Sequence, residues 1–161
     1  DGLMARKRMI DPQFWCDEKM MTLSHSARLL FIGLWNFCDD EGIHKNSDLK
    51  LKAEIFPADD ITKDDVRKLK EELVEIGLIV AIKEEEFGDD ILLVKNWKKY
   101  QKINRPIPSK YNISEDSLNA HGVITTNRIE YNRIEHNKTK QVVGFKELQK
   151  MKKKELANAT N

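Results

Sequence analysis

Apolar residues recur along the middle of the chain at helical spacing, and the pattern then shortens to that of strands. Ala27, Leu30, Phe31, Leu34, Trp35 and Cys38 fall at i, i+3, i+4, i+7, i+8 and i+11, the stripe of an amphipathic helix that Ser24 can cap. Asp39-Asp40-Glu41-Gly42 closes it with a polar turn. A second, shorter helix starts at Asn46 or Ser47, with Leu49, Ala53 and Phe56 on one face and Leu51 and Ile55 beside them. Pro57 disfavours helical geometry at Phe56 and ends it.

The next stretch combines both periods. Thr62 can act as N-cap with Asp65 three residues on, a carboxylate variant of the capping box, and Val66, Leu69, Leu73 and Ile76 then share one helical face. Gly77 stops this third helix. Leu78-Ile79-Val80-Ala81-Ile82 reads as a buried strand, Glu84 to Asp90 as a turn, and Ile91-Leu92-Leu93-Val94 as the returning strand. Three helices with short connections followed by a hairpin predict an α+β, mainly α fold. The order is that of a winged helix-turn-helix, three helices plus a β-hairpin wing, with a polar C-terminal extension. In that arrangement the second helix bridges the nucleic-acid backbone and the third enters the major groove.

The margins differ from this middle. Residues 1–17 read as a basic N-terminal arm without clean periodicity, in which Phe14-Trp15 is an apolar anchor; Asp1-Gly2-Leu3 precede Met4, which reads as the natural start. Residues 18–111 form the predicted domain, and residues 112–161 a polar linker with a short basic C-terminal segment. Asn127-Arg128-Ile129-Glu130-Tyr131 is repeated almost perfectly as Asn132-Arg133-Ile134-Glu135-His136. A five-residue period suits neither helix nor strand packing, so this reads as linker or as a helix formed only with a partner. Phe145 to Ala157 can form a basic helix through Lys150-Met151-Lys152-Lys153-Lys154.

Charge sharpens the picture. The formal net charge is only +1, yet residues 39–90 hold 8 basic and 17 acidic groups while residues 91–114 hold 6 and 0. An acidic middle is bracketed by Arg6-Lys7-Arg8 and by the basic stretch after the hairpin, a segregation that suits a polyanion. The expected phosphate contacts are Arg6, Lys7, Arg8, Lys95, Lys98, Lys99, Lys102 and Arg105. Trp97 and Tyr100 interleave with the lysines, so stacking and neutralisation can act together, unless the rings pack on the core. On the third helix, Lys63, Arg67 and Lys68 sit in the half that approaches base edges, and Lys70 lies nearer the boundary. Glu71 and Glu75 follow in the half that repels phosphate, and Glu84-Glu85-Glu86 would turn the wing tip away from DNA.

Other chemistries find little footing. Cys16 and Cys38 lack a paired cysteine or histidine at ligand spacing, so neither zinc nor a disulfide framework is indicated, and Cys38 reads as a core residue. His25, His44, His121 and His136 are scattered and read as surface residues, and no glycine-rich loop cradles a phosphate. The acidic turn reads as solvated rather than as a metal site. No cofactor and no catalysis are expected. Mean hydropathy is −0.61, and no apolar run approaches the roughly 18 residues of a membrane span, so the chain reads as cytoplasmic with no membrane partner.

Four segments carry a resemblance: Ala5 to Pro12, Ala27 to Trp35, Leu51 to Pro57, and Asn96-Trp97-Lys98-Lys99-Tyr100-Gln101-Lys102-Ile103-Asn104-Arg105-Pro106. Together, over roughly Met4 to Tyr111, they resemble the N-terminal domain of phage replisome organiser proteins, DnaD-like replication initiation proteins of phages and prophages in Gram-positive bacteria. The resemblance implies a non-enzymatic winged-helix domain that binds double-stranded DNA at a phage origin and helps bring a host helicase or helicase loader to it. It also implies a possible homo-oligomer. The acidic wing and the half-acidic third helix favour an alternative, a winged-helix assembly module with weak or no DNA binding.

Overall fold

Helices begin where a side chain can replace the backbone partners that a first turn lacks. The computed structural model describes residues 5–83 and 88–123, and there the expected caps are in place. Ser24 Oγ accepts from the Ala27 amide at 3.2 Å and opens α2 (His25–Phe37). Ser47 Oγ accepts from the Lys50 amide at 3.3 Å and opens α3 (Asp48–Ile55). Before α4 (Lys63–Glu75), Thr62 Oγ1 accepts from the Asp65 amide and the Thr62 amide donates to Asp65 Oδ2, a reciprocal capping box. Gly77, at φ +72°, then turns the chain into the sheet. Ahead of these lie a short 3₁₀ helix (Pro12–Cys16) and α1 (Glu18–Thr22), capped by Asp11 and Asp17.

Strands β2 (Ile79–Lys83) and β3 (Asp90–Val94) form the expected antiparallel hairpin, with Ile79 opposite Val94 and Ile82 opposite Ile91. A third strand, β1 (Ile43–Lys45), pairs antiparallel with β3, so β3 is central in the order β1-β3-β2. Successive residues of β3 serve opposite faces. Leu92 and Val94 join the helical core, while Ile91 and Leu93 join a second cluster with Ile43, Ile82, Ile113 and Leu118. Leu118 belongs to α6 (Glu115–Ala120), so the folded unit takes in residues placed by sequence in the polar tail. Among the described residues, this α+β fold has six α-helices and a small three-stranded antiparallel sheet, which is compatible with a winged helix. The first compact unit ends at Val123; the pentapeptide repeat, the basic helix expected within 145–157 and residues 84–87 of the expected wing lie outside the described residues.

The helical core differs from expectation in three places and decides between two readings in a fourth. Leu49 is 70% exposed and Ala53 is exposed too, whereas Leu51 is fully buried and Ile55 packs on the core. The face of α3 is thus rotated from the expected one. Trp97 is buried in α5 (Trp97–Tyr100), and Tyr100 lies 5.2 Å from Trp35 and 5.3 Å from Phe31, ring to ring. Both aromatics are structural and do not form an exposed stacking platform. His44 is buried, with Nε2 2.9 Å from Glu54 Oε2 and Nδ1 2.7 Å from the Lys45 carbonyl, and burial lowers its pKa despite Glu54. It is not a surface residue. Trp15, half of the expected anchor, is 55% exposed, and Phe14 alone is buried.

The turn after α2 is not a solvated acidic loop either. Asp40 is buried, and its carboxylate receives Arg6 and Arg8 at Oδ1 and the Ile107 amide at Oδ2, the last at 3.0 Å. Its backbone carbonyl accepts from Trp97 Nε1 at 2.9 Å. Gly42 completes the turn: at φ +80° it adopts a left-handed conformation, and a Cβ there would stand 2.7 Å from the Trp97 ring. Asp39 ties the same turn together, accepting the amides of Glu41 and Ile43 and the Ser109 hydroxyl.

Three outcomes follow for stability. Thr62→Ala removes one arm of the capping box and is expected to cost about 1 kcal/mol in chemical denaturation. Asp40→Ala strands a buried guanidinium and is expected to cost about 3 kcal/mol. Burial alone would raise the Asp40 pKa, but the Ile107 amide, Arg6 and Arg8 outweigh it and hold the carboxyl below its ordinary value. A lowered folded pKa gives stability that is complete above the unfolded value of about 3.9 and is lost as pH falls through the folded one. The advantage of wild type over Asp40→Asn should therefore be full at pH 6 and shrink below about pH 4.

Candidate nucleic-acid interface

The arm and the stretch after the hairpin are far apart in sequence and meet in space. Gln101, the residue that ends α5, donates from Nε2 to the Met9 carbonyl at 2.8 Å and accepts from the Met9 amide at 3.3 Å. A side-chain amide pairing both ways with one residue's backbone behaves like a short piece of sheet, and it lays the arm along α5. Farther back in the arm, the Arg6 amide donates to the Asn36 carbonyl at 2.7 Å and Asn36 Nδ2 returns a bond to the Arg6 carbonyl at 2.8 Å. Lys7 thus projects from a backbone fixed on both sides, and Lys102 adjoins the Gln101 junction.

Exposure sorts the cations of this region. Lys7, Lys98, Lys102 and Arg105 are exposed, as is Lys110, which sequence reasoning did not choose. Lys99 is 61% exposed at its side chain but bound to Asp17 Oδ2 at 2.7 Å, a bond that lowers the Asp17 pKa and raises that of Lys99. Lys95 is half-buried beside Gly122. Arg6 is 29% exposed and paired with Asp40.

Arg8 must be withdrawn from the interface. Its side chain is only 6% exposed, with Nε donating to the Trp35 carbonyl and an Nη donating to the carbonyls of Cys38 and Asp39 and to Asp40 Oδ1. Its guanidinium also lies 5.3 Å from the Trp97 ring centroid. Held by these bonds at 6% exposure, the side chain faces the fold and not an outside phosphate. Nothing near Arg8 in the sequence signals this, because the acceptors come from the turn after α2.

The cations of α4 form a second group, tied to α3. Arg67 Nε donates to Asp48 Oδ2 at 3.0 Å and its Nη1 lies 3.1 Å from Asp64 Oδ1. Lys70 binds Asp48 Oδ1 and Asn46 Oδ1 and is 13% exposed. Lys68 is 75% exposed and 3.8 Å from Asp65, and Lys63 is exposed. Burial would raise the Asp48 pKa, but Lys70 and Arg67 together lower it, so it is ionised at neutral pH. Across α4, Lys63, Arg67, Lys68 and Lys70 are outnumbered by Asp64, Asp65, Glu71, Glu72 and Glu75. Exposed cations occur in the arm and after the hairpin, whereas Arg67, Lys68 and Lys70 of α4 are each paired with a carboxylate. No group of three or more metal-ligating side chains occurs among the described residues.

Comparison with known proteins leaves the family open. No protein-family model and no curated protein matches the chain. Among solved structures, one described as the N-terminal domain of a DNA-binding protein is 18% identical, covering 74% of this chain and 89% of its own at a TM-score of 0.40. A second, described as a Rep–DNA complex, is 17% identical, covering 71% of this chain and 83% of its own at a TM-score of 0.39. Likeness at this level does not extend to function.

Proposed function

We propose that the chain is a non-enzymatic, winged-helix DNA-binding module that works in phage or prophage replication initiation by marking an origin. The observation that supports this reading is the junction of Gln101 with Met9, which joins the arm bearing exposed Lys7 to the stretch bearing exposed Lys98, Lys102 and Arg105. A strip of fixed backbone bearing exposed cations neutralises phosphates and releases their counterions, whatever the base sequence. Lys63, Arg67 and Lys68, at the start of α4, supply base readout, and the motifs shared with phage replisome organisers supply the biological setting. A host helicase or helicase loader is the protein partner that this setting implies.

A second reading, assembly without strong DNA binding, is favoured by the acidic balance of α4 and by exposed Trp15, Leu49 and Ile107. Light scattering beside a gel-shift assay separates the two. A scaffold forms defined oligomers and leaves duplex DNA unretarded.

The test of the first reading is a salt series. Lys98→Ala with Lys102→Ala should weaken binding of the full chain to every duplex and flatten the slope of log K against log salt by about 0.9 for each phosphate no longer neutralised. An isotherm and slope equal to those of wild type would remove the strip from the interface.

A further inference from the structure

We propose that Asp48 is a specificity-determining latch on α4: it holds Arg67 and Lys70 back from phosphates, so that the helix commits only to DNA that offers enough partners to displace a carboxylate. This deepens the DNA-binding reading above and rests on it.

The geometry is that of one acceptor shared by two cations. Asp48 is the first residue of α3 and its side chain is 16% exposed, with Arg67 Nε on Oδ2 at 3.0 Å and Lys70 Nζ on Oδ1. Asp64 takes Arg67 Nη1 at 3.1 Å. Arginine reads guanine by presenting two N–H donors along one edge. Here Nε is already bonded to Asp48 and Nη1 is ion-paired with Asp64, so Asp48 must let go before the Nε–Nη2 edge is available, and Asp64 competes at the other. Arg67 remains 52% exposed and can reach a ligand once released, whereas Lys70 is held deeper, at 13%. Asn46 Oδ1 gives Lys70 a second internal acceptor, which makes Arg67 the first to be freed.

A phosphate and a carboxylate compete for the same donors. Against random DNA the exchange replaces one charge-assisted bond with another and yields little. Against a correct site the freed Arg67 gains base contacts as well. The latch therefore lowers non-specific binding more than specific binding, and specificity is the difference between the two. A purely structural role, fastening α3 to α4, predicts reduced stability on mutation and no gain in affinity.

Asp48→Asn in the full chain is the direct test, since the amide keeps the shape and removes the charge. Affinity for a random-sequence duplex should rise about tenfold at roughly 0.1 M salt, and the salt slope should steepen by about 0.9 for each released cation. Adding Arg67→Ala should cancel most of the gain. Binding unchanged or weakened, with the thermal melt intact, overturns the proposal. If Asp48→Asn does not keep its fold, Asp64→Asn at its 61% exposed position carries the test: a smaller gain supports the latch, and none overturns it. A wild-type chain and an Asp48→Asn variant both silent towards DNA remove the parent reading and the latch with it, whereas a silent wild type beside a variant that binds supports both.

Discussion

One buried carboxylate holds together segments that the sequence keeps far apart. Asp40 receives both arginines of the arm and the amide of Ile107, and its own carbonyl accepts from the Trp97 ring. The arm, the turn after α2, α5 and the extended stretch beyond it are thereby fixed around a single group. Buried ion pairs are a weak source of net stability, because desolvation offsets much of the attraction. Their geometric effect is firmer: a guanidinium inside the fold needs its acceptors gathered in one place, which holds the segments that supply them in register. The surface formed by the arm and α5 is a consequence of that requirement.

Internal pairing governs the other charges too. Along the sequence the acidic middle and its basic flanks look like two opposing surfaces, but many of the acids are engaged by the bases inside the fold. Asp40 engages Arg6 and Arg8, Asp17 engages Lys99, and Asp48 engages Arg67 and Lys70. Among the described residues, the exposed cations with no such pair include Lys7 in the arm, Lys98, Lys102, Arg105 and Lys110 after the hairpin, and Lys63 on α4. A carboxylate that orients a cation also competes for it. The internal pairs therefore decide how strongly, and how selectively, each basic residue can act on an outside partner.

How much of this can be read from sequence depends on the range of the interaction. Helix starts are legible because a cap spans three residues: Ser24, Ser47 and the Thr62–Asp65 pair all act within that distance. The β2–β3 hairpin is legible from two apolar runs around a polar turn. Strand β1 is not, since three residues carry no period and its only partner is β3, nearly fifty positions on. The buried face of α3 is ambiguous for a related reason. In eight residues two apolar stripes compete, and the choice falls to tertiary contact, where α2 offers Gly33 as a flat seat for Ile55. The fate of individual cations is the least legible. Arg8 finds Asp40 32 positions away and Gln101 finds Met9 across 92, and no local pattern marks either pair.

Backbone amide chemical shifts of the full chain, followed by NMR as a duplex oligonucleotide is added, test the central claim most directly. The account predicts that residues 6–9 and 98–105 move first and furthest, with residues 64–70 following only on a duplex of preferred sequence. Shifts confined to α4, or spread over a subunit contact while residues 6–9 and 98–105 stay still, would contradict it.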